Sequence, residues 1–244
     1  MTEEEFLEAY DPARFPHPSV AVDLVLATVA AGRVMVLLQR RSAHPFQHAW
    51  ALPGSFVGIE ESLDAAAARV LAEKAGLGAG AEGVWLEQLY TFGAPGRDPR
   101  TRVIAVAYFA LLPAAVLDRA VAGRDDLALA GLDLPVGAAA ARALDGAGQA
   151  LPLAFDHGEI LAQALLRLRG KLDYAPVAFS LLPARFTLRE LQDVHEAILG
   201  QALNKPAFRR RMIDQGWIEG TGLREAAGAF RPAELYTFRM GKGE

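Results

Sequence analysis

The stretch GSFVGIEESLDAAAARVLAEKAGL, residues 54–77, constrains the fold of this chain more than any other part of its sequence. It starts as a loop that contains glycine and continues as a predicted helix over 63–75. Ser62 is a suitable N-cap because its hydroxyl can accept a hydrogen bond from a backbone N–H group of the first turn. Gly76 can end the helix because glycine adopts the left-handed conformation without steric cost. The stretch therefore predicts a loop followed by a helix with defined ends.

The residue spacing in this stretch resembles the Nudix box, in which a glycine, five residues and Glu are followed, seven residues later, by Arg-Glu-apolar-x-Glu-Glu-x-Gly-apolar. The matching residues are Glu61, Arg69, Leu71, Glu73, Gly76 and Leu77, and Ser55 stands at the first glycine of the pattern. The Leu-Pro-Gly sequence at 52–54 and the flanking strands extend the resemblance to about residue 155. The resemblance implies an α+β fold, a Nudix-like α/β/α sandwich with a mixed sheet, in a ligand-sensing domain over 1–155.

Two positions of the predicted helix depart from the Nudix pattern. Val70, Glu73 and Lys74 are three or four residues apart, so we expect them to share one helix face. In Nudix hydrolases that face carries glutamates, which hold Mg²⁺ against a substrate diphosphate. Valine provides no ligand, and a lysine ammonium group has donors but no acceptor. We therefore expect no catalytic residue, metal or cofactor, and a Lys74 that attracts the diphosphate itself. Alternatively, 62–75 is an amphipathic packing helix with Val70 and Leu71 on its core side.

Hydrophobic patterns outside this stretch indicate further elements. Strands are predicted over 20–29, 33–39, 85–92 and 102–111, and a helix over 156–172 has apolar residues at helical spacing. Strands mixed with helices are typical of an α+β sandwich. The helix belongs to a segment, 156–174, that we interpret as the connection to a second domain over 175–244.

Arginines in the loop over 93–100 are the next candidates for ligand recognition. Arg97, Arg100 and Arg102 place three guanidinium groups within six residues, which suits phosphate or ribose hydroxyl groups. The alternative is a solvated turn formed by the Asp-Pro pair. Arg40 and Arg41, at the end of the second predicted strand, allow the same two interpretations.

Three aromatic residues, Trp50, Phe56 and Tyr108, can either stack on a base or belong to the core. The predicted ligand-binding residues are Arg40, Arg41, Gly54, Ser55, Phe56, Glu61, Arg69, Glu73, Lys74, Arg97, Asp98 and Arg100.

The C-terminal part predicts two helices and a hairpin. Thr187 and Glu190 form a capping-box pattern before a helix that ends at Gly200. A second helix is predicted from Asn204 to Gly216. On it Phe208, Met212 and Ile213 are expected to face the core, while Arg209, Arg210 and much of Arg211 face outward. Strands at 217–219 and 234–238 complete a winged helix-turn-helix, whose second helix typically enters the major groove. Alternatively, the arginines form a solvated face, or the domain binds another protein.

The sequences FTLRELQDVHEAILG, KPAFRRRM and RPAELY are similar to the C-terminal domain of Nudix-related transcriptional regulators. That resemblance implies a homodimer that represses genes of NAD biosynthesis or salvage by binding a palindromic double-stranded DNA operator. It also implies that ADP-ribose, or a related NAD-derived or sugar-phosphate molecule, binds the Nudix-like domain. The family usually has asparagine where this chain has Ala207. The predicted DNA-binding residues are Thr187, Arg189, Lys205, Arg209, Arg210, Arg211 and Arg231.

Composition limits the other possibilities. The chain has no cysteine, which excludes disulfides, thiolate nucleophiles and zinc–thiolate sites. Its first residues are acidic and do not resemble a signal peptide, and no apolar run reaches the roughly 18 residues of a membrane span. We expect a cytoplasmic protein. The alternative function is a Nudix hydrolase that cleaves ADP-ribose-like substrates with Mg²⁺ and carries an accessory C-terminal domain.

Overall fold

The computed structural model describes residues 1–77, 84, 86–225 and 232–239. Its helices are α1 (Glu3–Ala9), α2 (Leu63–Glu73), α3 (Ala114–Val121), α4 (His157–Lys171), α5 (Leu188–Leu199) and α6 (Lys205–Asp214). Its strands are β1 (Ser19–Ala30), β2 (Arg33–Arg40), β3 (Trp50–Ala51), β4 (Gly54–Phe56), β5 (Glu87–Phe92), β6 (Val103–Leu111), β7 (Leu127–Asp133), β8 (Arg142–Leu144), β9 (Ala150–Leu151), β10 (Phe186–Thr187), β11 (Ile218–Arg224) and β12 (Glu234–Phe238). Short 3-10 helices cover Pro12–Arg14 and Val177–Leu181.

The first two-thirds of the chain contain a mixed sheet, on which helices pack. Its strand order is β5-β6-β1-β2-β7-β8-β9, with β3 paired to β2 and β4 paired to β1. Strand β1 lies parallel to β6 and antiparallel to β2. The tight turn between β1 and β2 uses Ala31 and Gly32, both with positive φ, which is the geometry that closes two-residue hairpins.

The alternation of residues along β1 divides the core into two layers. Val22, Leu24 and Leu26 pack beneath α2 and α3 on one face of the sheet. Val25 and Ala27 point to the opposite face, where α4 packs. Because side chains alternate along a strand, β1 contributes residues to both cores. The expected α+β sandwich with a mixed sheet is therefore present.

Helix α4 joins the sheet to the C-terminal domain. Leu161, Leu165 and Leu168 belong to the same buried cluster as Leu191 and Ile198 of α5. Helix α5 also packs against β1 and β2. The segment predicted as a connection is therefore a packed helix in a core that both halves of the chain share.

The C-terminal part contains α5, α6 and a three-stranded sheet of order β10-β12-β11. The capping box predicted at Thr187 and Glu190 is present, and Gly200 follows α5 with φ +73°. Asn204 caps α6 by accepting a hydrogen bond from the Ala207 N–H group. These elements form the winged helix-turn-helix that the sequence predicts.

Several details of the sequence-based description are wrong or incomplete. Ile213 is half exposed and does not face the core, unlike Phe208 and Met212. Helix α2 ends at Glu73, two residues before the predicted end, although Gly76 does adopt positive φ. Helices α1 and α3 were not predicted. Among the described residues, no helix combines the length and apolar composition needed to cross a bilayer.

Candidate ligand cleft and nucleic-acid interface

A cleft of about 210 Å³ opens on the face of the sheet that also carries α4. It is bounded by the first half of β1, by β4, by the loop before β6 and by the start of α4. Its lining residues are Ala21, Asp23, Arg41, Ala51, Leu52, Gly54, Ser55, Phe56, Lys74, Arg97, Asp98, Arg100, Val103, Phe155 and His157. Four of these residues, Arg41, Lys74, Arg97 and Arg100, have cationic side chains, and two, Phe56 and Phe155, have aromatic rings.

Lys74 lies directly after α2 and reaches into the cleft. Its Nζ donates a 2.6 Å hydrogen bond to the carbonyl oxygen of Gly54. Burial, followed by the nearby charge of Arg69, lowers the pKa of Lys74 below that of an ordinary lysine. The ammonium group is partly desolvated and its partner is an uncharged carbonyl, so it is well suited to bind an anionic ligand.

Glu61 and Arg69 form an ion pair beside the cleft. Arg69 donates two 2.7 Å hydrogen bonds to Glu61 and a 3.1 Å bond to the Phe56 carbonyl. Glu61 also accepts a hydrogen bond from the Gly58 N–H group, and these donors lower the pKa of Glu61 to about 2. The pair ties the loop after β4 to α2, so both residues position the loop.

The structure does not place Val70, Glu73 and Lys74 on one shared face, contrary to the expectation from their spacing. Val70 is fully buried in the core beneath α2. The Glu73 side chain is 60 % exposed and 3.9 Å from Arg69, whereas Lys74, which caps the end of α2, donates to the Gly54 carbonyl. Glu73 therefore lies outside the cleft.

These positions do not fit the magnesium site that a Nudix fold implies. Mg²⁺ requires several oxygen ligands arranged around one point. Val70 offers none, Glu61 is occupied by Arg69, and the Lys74 ammonium group already binds the Gly54 carbonyl. Within the described residues, no cluster of three metal-ligating side chains occurs.

Arg97 and three neighbours form a buried polar network under the cleft. Arg97 donates hydrogen bonds of 2.8 and 2.7 Å to the Asp156 carboxylate and lies 3.5 Å from Asp23. The Leu52 N–H group donates to Nδ1 of His157 at 2.9 Å. That nitrogen is therefore unprotonated, and burial lowers the pKa of His157, so the ring is neutral. Two carboxylates occupy the Arg97 guanidinium, which is not free to bind phosphate as expected.

Arg100 and Arg41 form the mouth of the cleft together with aromatic rings. The Arg100 guanidinium donates to the buried Asp98 carboxylate at 3.0 and 2.7 Å and lies 5.3 Å from the centre of the Phe56 ring. Arg41 lies 4.8 Å from the centre of the Phe155 ring. Aromatic and guanidinium planes held in this way are able to stack on a base.

The cleft collects eight of the twelve predicted ligand-binding residues, which are Arg41, Gly54, Ser55, Phe56, Lys74, Arg97, Asp98 and Arg100. Arg40, Glu61, Arg69 and Glu73 do not line it. Tyr108 is buried and donates a 3.0 Å hydrogen bond to Asp64, and burial raises its pKa to about 12. Tyr108 is therefore a core residue, and Trp50 packs against the other core cluster.

Asp23, Phe155 and His157 were not predicted as cleft residues. Leu52 and His157, which are hydrogen-bonded, stand 105 positions apart in the chain. A buried Asp within an otherwise apolar strand is the one local signal that could have indicated Asp23, because buried carboxylates need partners.

The exposed side of α6 carries Lys205, Arg209 and Arg210. The Arg210 side chain is 84 % exposed and only 3.6 Å from Asp214, its nearest carboxylate. Arg211 is half-buried and turned toward Asp173 at 3.4 Å, so it contributes less to this surface than expected. The result is a basic surface on the second helix of the helix-turn-helix.

Two further predicted DNA contacts have other surroundings. Thr187 is buried, and its hydroxyl is committed to the capping box with Glu190, which makes it a structural residue. Arg189 is exposed and forms a 2.8 Å ion pair with Asp193. Arg231 lies outside the described residues.

Comparisons with known proteins match both halves of the chain. Residues 17–130 match the NUDIX domain, and residues 178–238 match the NrtR DNA-binding winged helix domain. A relative from Acinetobacter baylyi, the ADPR responsive transcriptional repressor NtrR, is 39% identical over 98% of this chain and 89% of its own length. The chain belongs to the NrtR family.

Solved NrtR structures show the same architecture. The Shewanella oneidensis NrtR complexed with a 27mer DNA is 36% identical, has a TM-score of 0.71, and is matched over 90% of this chain and 93% of that one. The NUDIX domain of the same NrtR complexed with ADP ribose is 34% identical, with a TM-score of 0.50 over 69% of this chain and 99% of that one.

One position in α6 differs from the usual sequence of the family: this chain has Ala207 where the family usually has asparagine. Ala207 is exposed in the first turn of α6, and its N–H group donates to the Asn204 side chain. An asparagine amide at this point would face outward beside Lys205. Its absence removes one polar group from the basic surface of α6.

Proposed function

We propose that this protein is a transcriptional repressor that binds operator DNA and releases it when ADP-ribose occupies the cleft. The observation that carries the proposal is the contact of the Lys74 ammonium group with the Gly54 carbonyl. It gives the cleft a fixed cation at the end of the Nudix helix, in a chain that also carries an exposed basic helix. The regulated genes are those of NAD biosynthesis or salvage. Because ADP-ribose is derived from NAD, its concentration signals the level of NAD.

The ligand is held at both ends of the cleft. Lys74 and the backbone around Ser55 bind the diphosphate through charge-assisted hydrogen bonds. Arg100 and Arg41, held against Phe56 and Phe155, stack on the adenine base. A related sugar phosphate retains the first contact but loses the second, and therefore binds more weakly.

The cleft binds ADP-ribose without cleaving it. Nudix hydrolysis depends on metal ions that activate water and stabilise charge at phosphorus, an effect of several kcal/mol on the barrier. A single ammonium group attracts the diphosphate but does not generate hydroxide. With Lys74 and the buried Val70 at these two positions, the cleft therefore binds the diphosphate but does not hydrolyse it.

DNA is read by α6 in a homodimer. A helix-turn-helix dimer places its two recognition helices about 34 Å apart, which matches half-sites one helical turn apart in a palindromic operator. Ligand binding needs to favour a dimer with the wrong helix spacing by only about 1–3 kcal/mol to release the DNA.

Arg210→Ala is expected to weaken operator binding and to reduce its salt dependence. Each phosphate contact contributes about 0.9 to the slope of log affinity against log salt concentration, so losing one contact should lower the slope by about that amount. The measurement is a mobility-shift titration at several salt concentrations, with DNA from the region upstream of this gene. Arg119→Ala, which removes an exposed arginine from α3, is the matched control. An unchanged slope for Arg210→Ala would remove this residue from the interface, and failure of the wild type to bind DNA would contradict the proposed function.

A further inference from the structure

Helix α4 has one end at the cleft and the other at the helix-turn-helix. At 1.5 Å per residue, its 15 residues span roughly 22 Å. The middle of α4 is buried between the sheet and α5. We therefore expect α4 to move as one rigid helix, so that a shift at its cleft end also shifts its other end. The polar contacts at its two ends therefore determine what it can transmit.

The first turn of α4 is fixed to the floor of the cleft. Asp156, the N-cap residue, does not cap its own helix and instead binds Arg97 with both carboxylate oxygens. His157 accepts a hydrogen bond from the Leu52 N–H group. Asp23, which contacts Arg97, is paired in register with Gly54, whose carbonyl binds Lys74. A ligand that draws Lys74 away from Gly54 therefore acts on groups connected to the start of α4.

The last turn of α4 contacts the turn of the helix-turn-helix through Arg169. Its Nε donates a 2.9 Å hydrogen bond to the carbonyl oxygen of Ile198, in the last turn of α5. Carbonyl groups at this point of a helix lack partners within the helix. The Arg169 guanidinium also lies against Gly200, where an added Cβ would be 3.4 Å from Nη2. Gly200 begins the turn that leads to α6.

We propose that Arg169 is a positioning residue for the DNA-reading helix, and a group through which occupancy of the cleft reaches α6. This inference rests on the proposed function. The apolar contacts between α4 and α5 hold the helices together but tolerate small rotations, because such contacts are non-directional. The hydrogen bond to Ile198 is directional and fixes the end of α5, and with it the direction in which α6 leaves the turn.

The test compares Arg169→Met with Arg167→Met in the full-length protein. Methionine keeps an apolar stem of similar length and removes the donors. Arg167 is on the same helix, but it donates to Leu89 and Glu87 within the sheet domain and not to α5. Operator affinity is measured with and without saturating ADP-ribose, and ADP-ribose affinity is measured separately by calorimetry.

In the wild type and in Arg167→Met, ADP-ribose should weaken operator binding by about 5- to 150-fold. In Arg169→Met the same ratio should fall below about threefold while ADP-ribose affinity stays unchanged, since coupling is lost and the cleft is intact. Arg169→Lys has an ammonium group that can donate to the same carbonyl, so it should restore part of the effect of ADP-ribose on operator affinity. This second variant replaces Arg169→Met in the test if Arg169→Met does not fold.

The outcomes separate the two claims. An Arg169→Met protein that binds ADP-ribose and releases DNA like the wild type would overturn the role of Arg169 and leave the proposed function standing. If Arg169→Met does not fold, Arg169→Lys decides: a ratio clearly below that of Arg167→Met, with ADP-ribose affinity unchanged, supports the role, and a ratio equal to that of Arg167→Met contradicts it. A wild type whose DNA affinity does not respond to ADP-ribose would overturn both.

Discussion

Replacing Lys74 by alanine is expected to weaken ADP-ribose binding by roughly 10- to 150-fold, the equivalent of losing one charge-assisted hydrogen bond of about 1.5–3 kcal/mol. The reason is that Lys74 provides a desolvated cation within the cleft, bonded to the Gly54 carbonyl at 2.6 Å. Isothermal titration calorimetry of the purified full-length protein measures the effect. Lys205→Ala, which removes an exposed lysine from α6, is the control and should leave the affinity unchanged.

The same lysine makes ADP-ribose binding depend on pH. Burial lowers the pKa of Lys74, so its charge is lost at a lower pH than that of an ordinary lysine. Affinity should therefore fall as the pH rises through this lowered pKa. Lys74→Arg should abolish that fall because arginine keeps its charge throughout the alkaline range. Parallel pH profiles for the wild type and Lys74→Arg would show that Lys74 does not bind the anion.

Gly54→Ala is expected to lower the free energy of unfolding by about 1–3 kcal/mol, the usual cost of inserting a methyl group into a packed site. An added Cβ would lie 2.3 Å from the Asp23 carboxylate and 2.8 Å from the Val22 carbonyl. Moving Asp23 also disturbs its contact with Arg97, so ADP-ribose affinity should fall with stability.

Chemical denaturation followed by circular dichroism measures the stability change. Gly146→Ala is the matched control, because a Cβ at Gly146 meets nothing within 4 Å. Its effect should stay within about 0.5 kcal/mol. Equal denaturation midpoints for Gly54→Ala and Gly146→Ala would mean that β1 and β4 can separate at no cost, and that the cleft is less rigid than its contacts indicate.

Much of the fold could be predicted from the sequence because its signals are local. The apolar run of β1, the capping box at Thr187 and the helix stop at Gly200 depend on residues within a few positions of one another. Each of these predictions is confirmed. The short helix α1, which buries no side chain, gave no apolar pattern to detect.

The cleft was harder to predict because its contacts are distant in sequence. The pairing of Arg97 with Asp156 spans 59 positions, and no local pattern indicates that this guanidinium is occupied. The arrangement of Val70, Glu73 and Lys74 was not given by spacing alone either, because consecutive residues of a helix point about 100° apart and Glu73 and Lys74 therefore diverge on either side of Val70.

In the proposed mechanism, a cation in the cleft acts through α4, which joins the cleft to the helix-turn-helix, on the basic surface of α6. The central claim is that ADP-ribose acts by occupying the cleft and is not consumed. Neither DNA binding nor ligand binding alone tests that claim. The fate of the ligand must be followed while the DNA is released.

The most direct measurement adds ADP-ribose and Mg²⁺ to the protein–operator complex, and follows DNA release by fluorescence anisotropy and nucleotides by chromatography in the same sample. We expect operator affinity to fall by about 5- to 150-fold while ADP-ribose is recovered intact. Accumulation of AMP at a rate that accounts for the release, or an operator affinity that ADP-ribose leaves unchanged, would contradict the account.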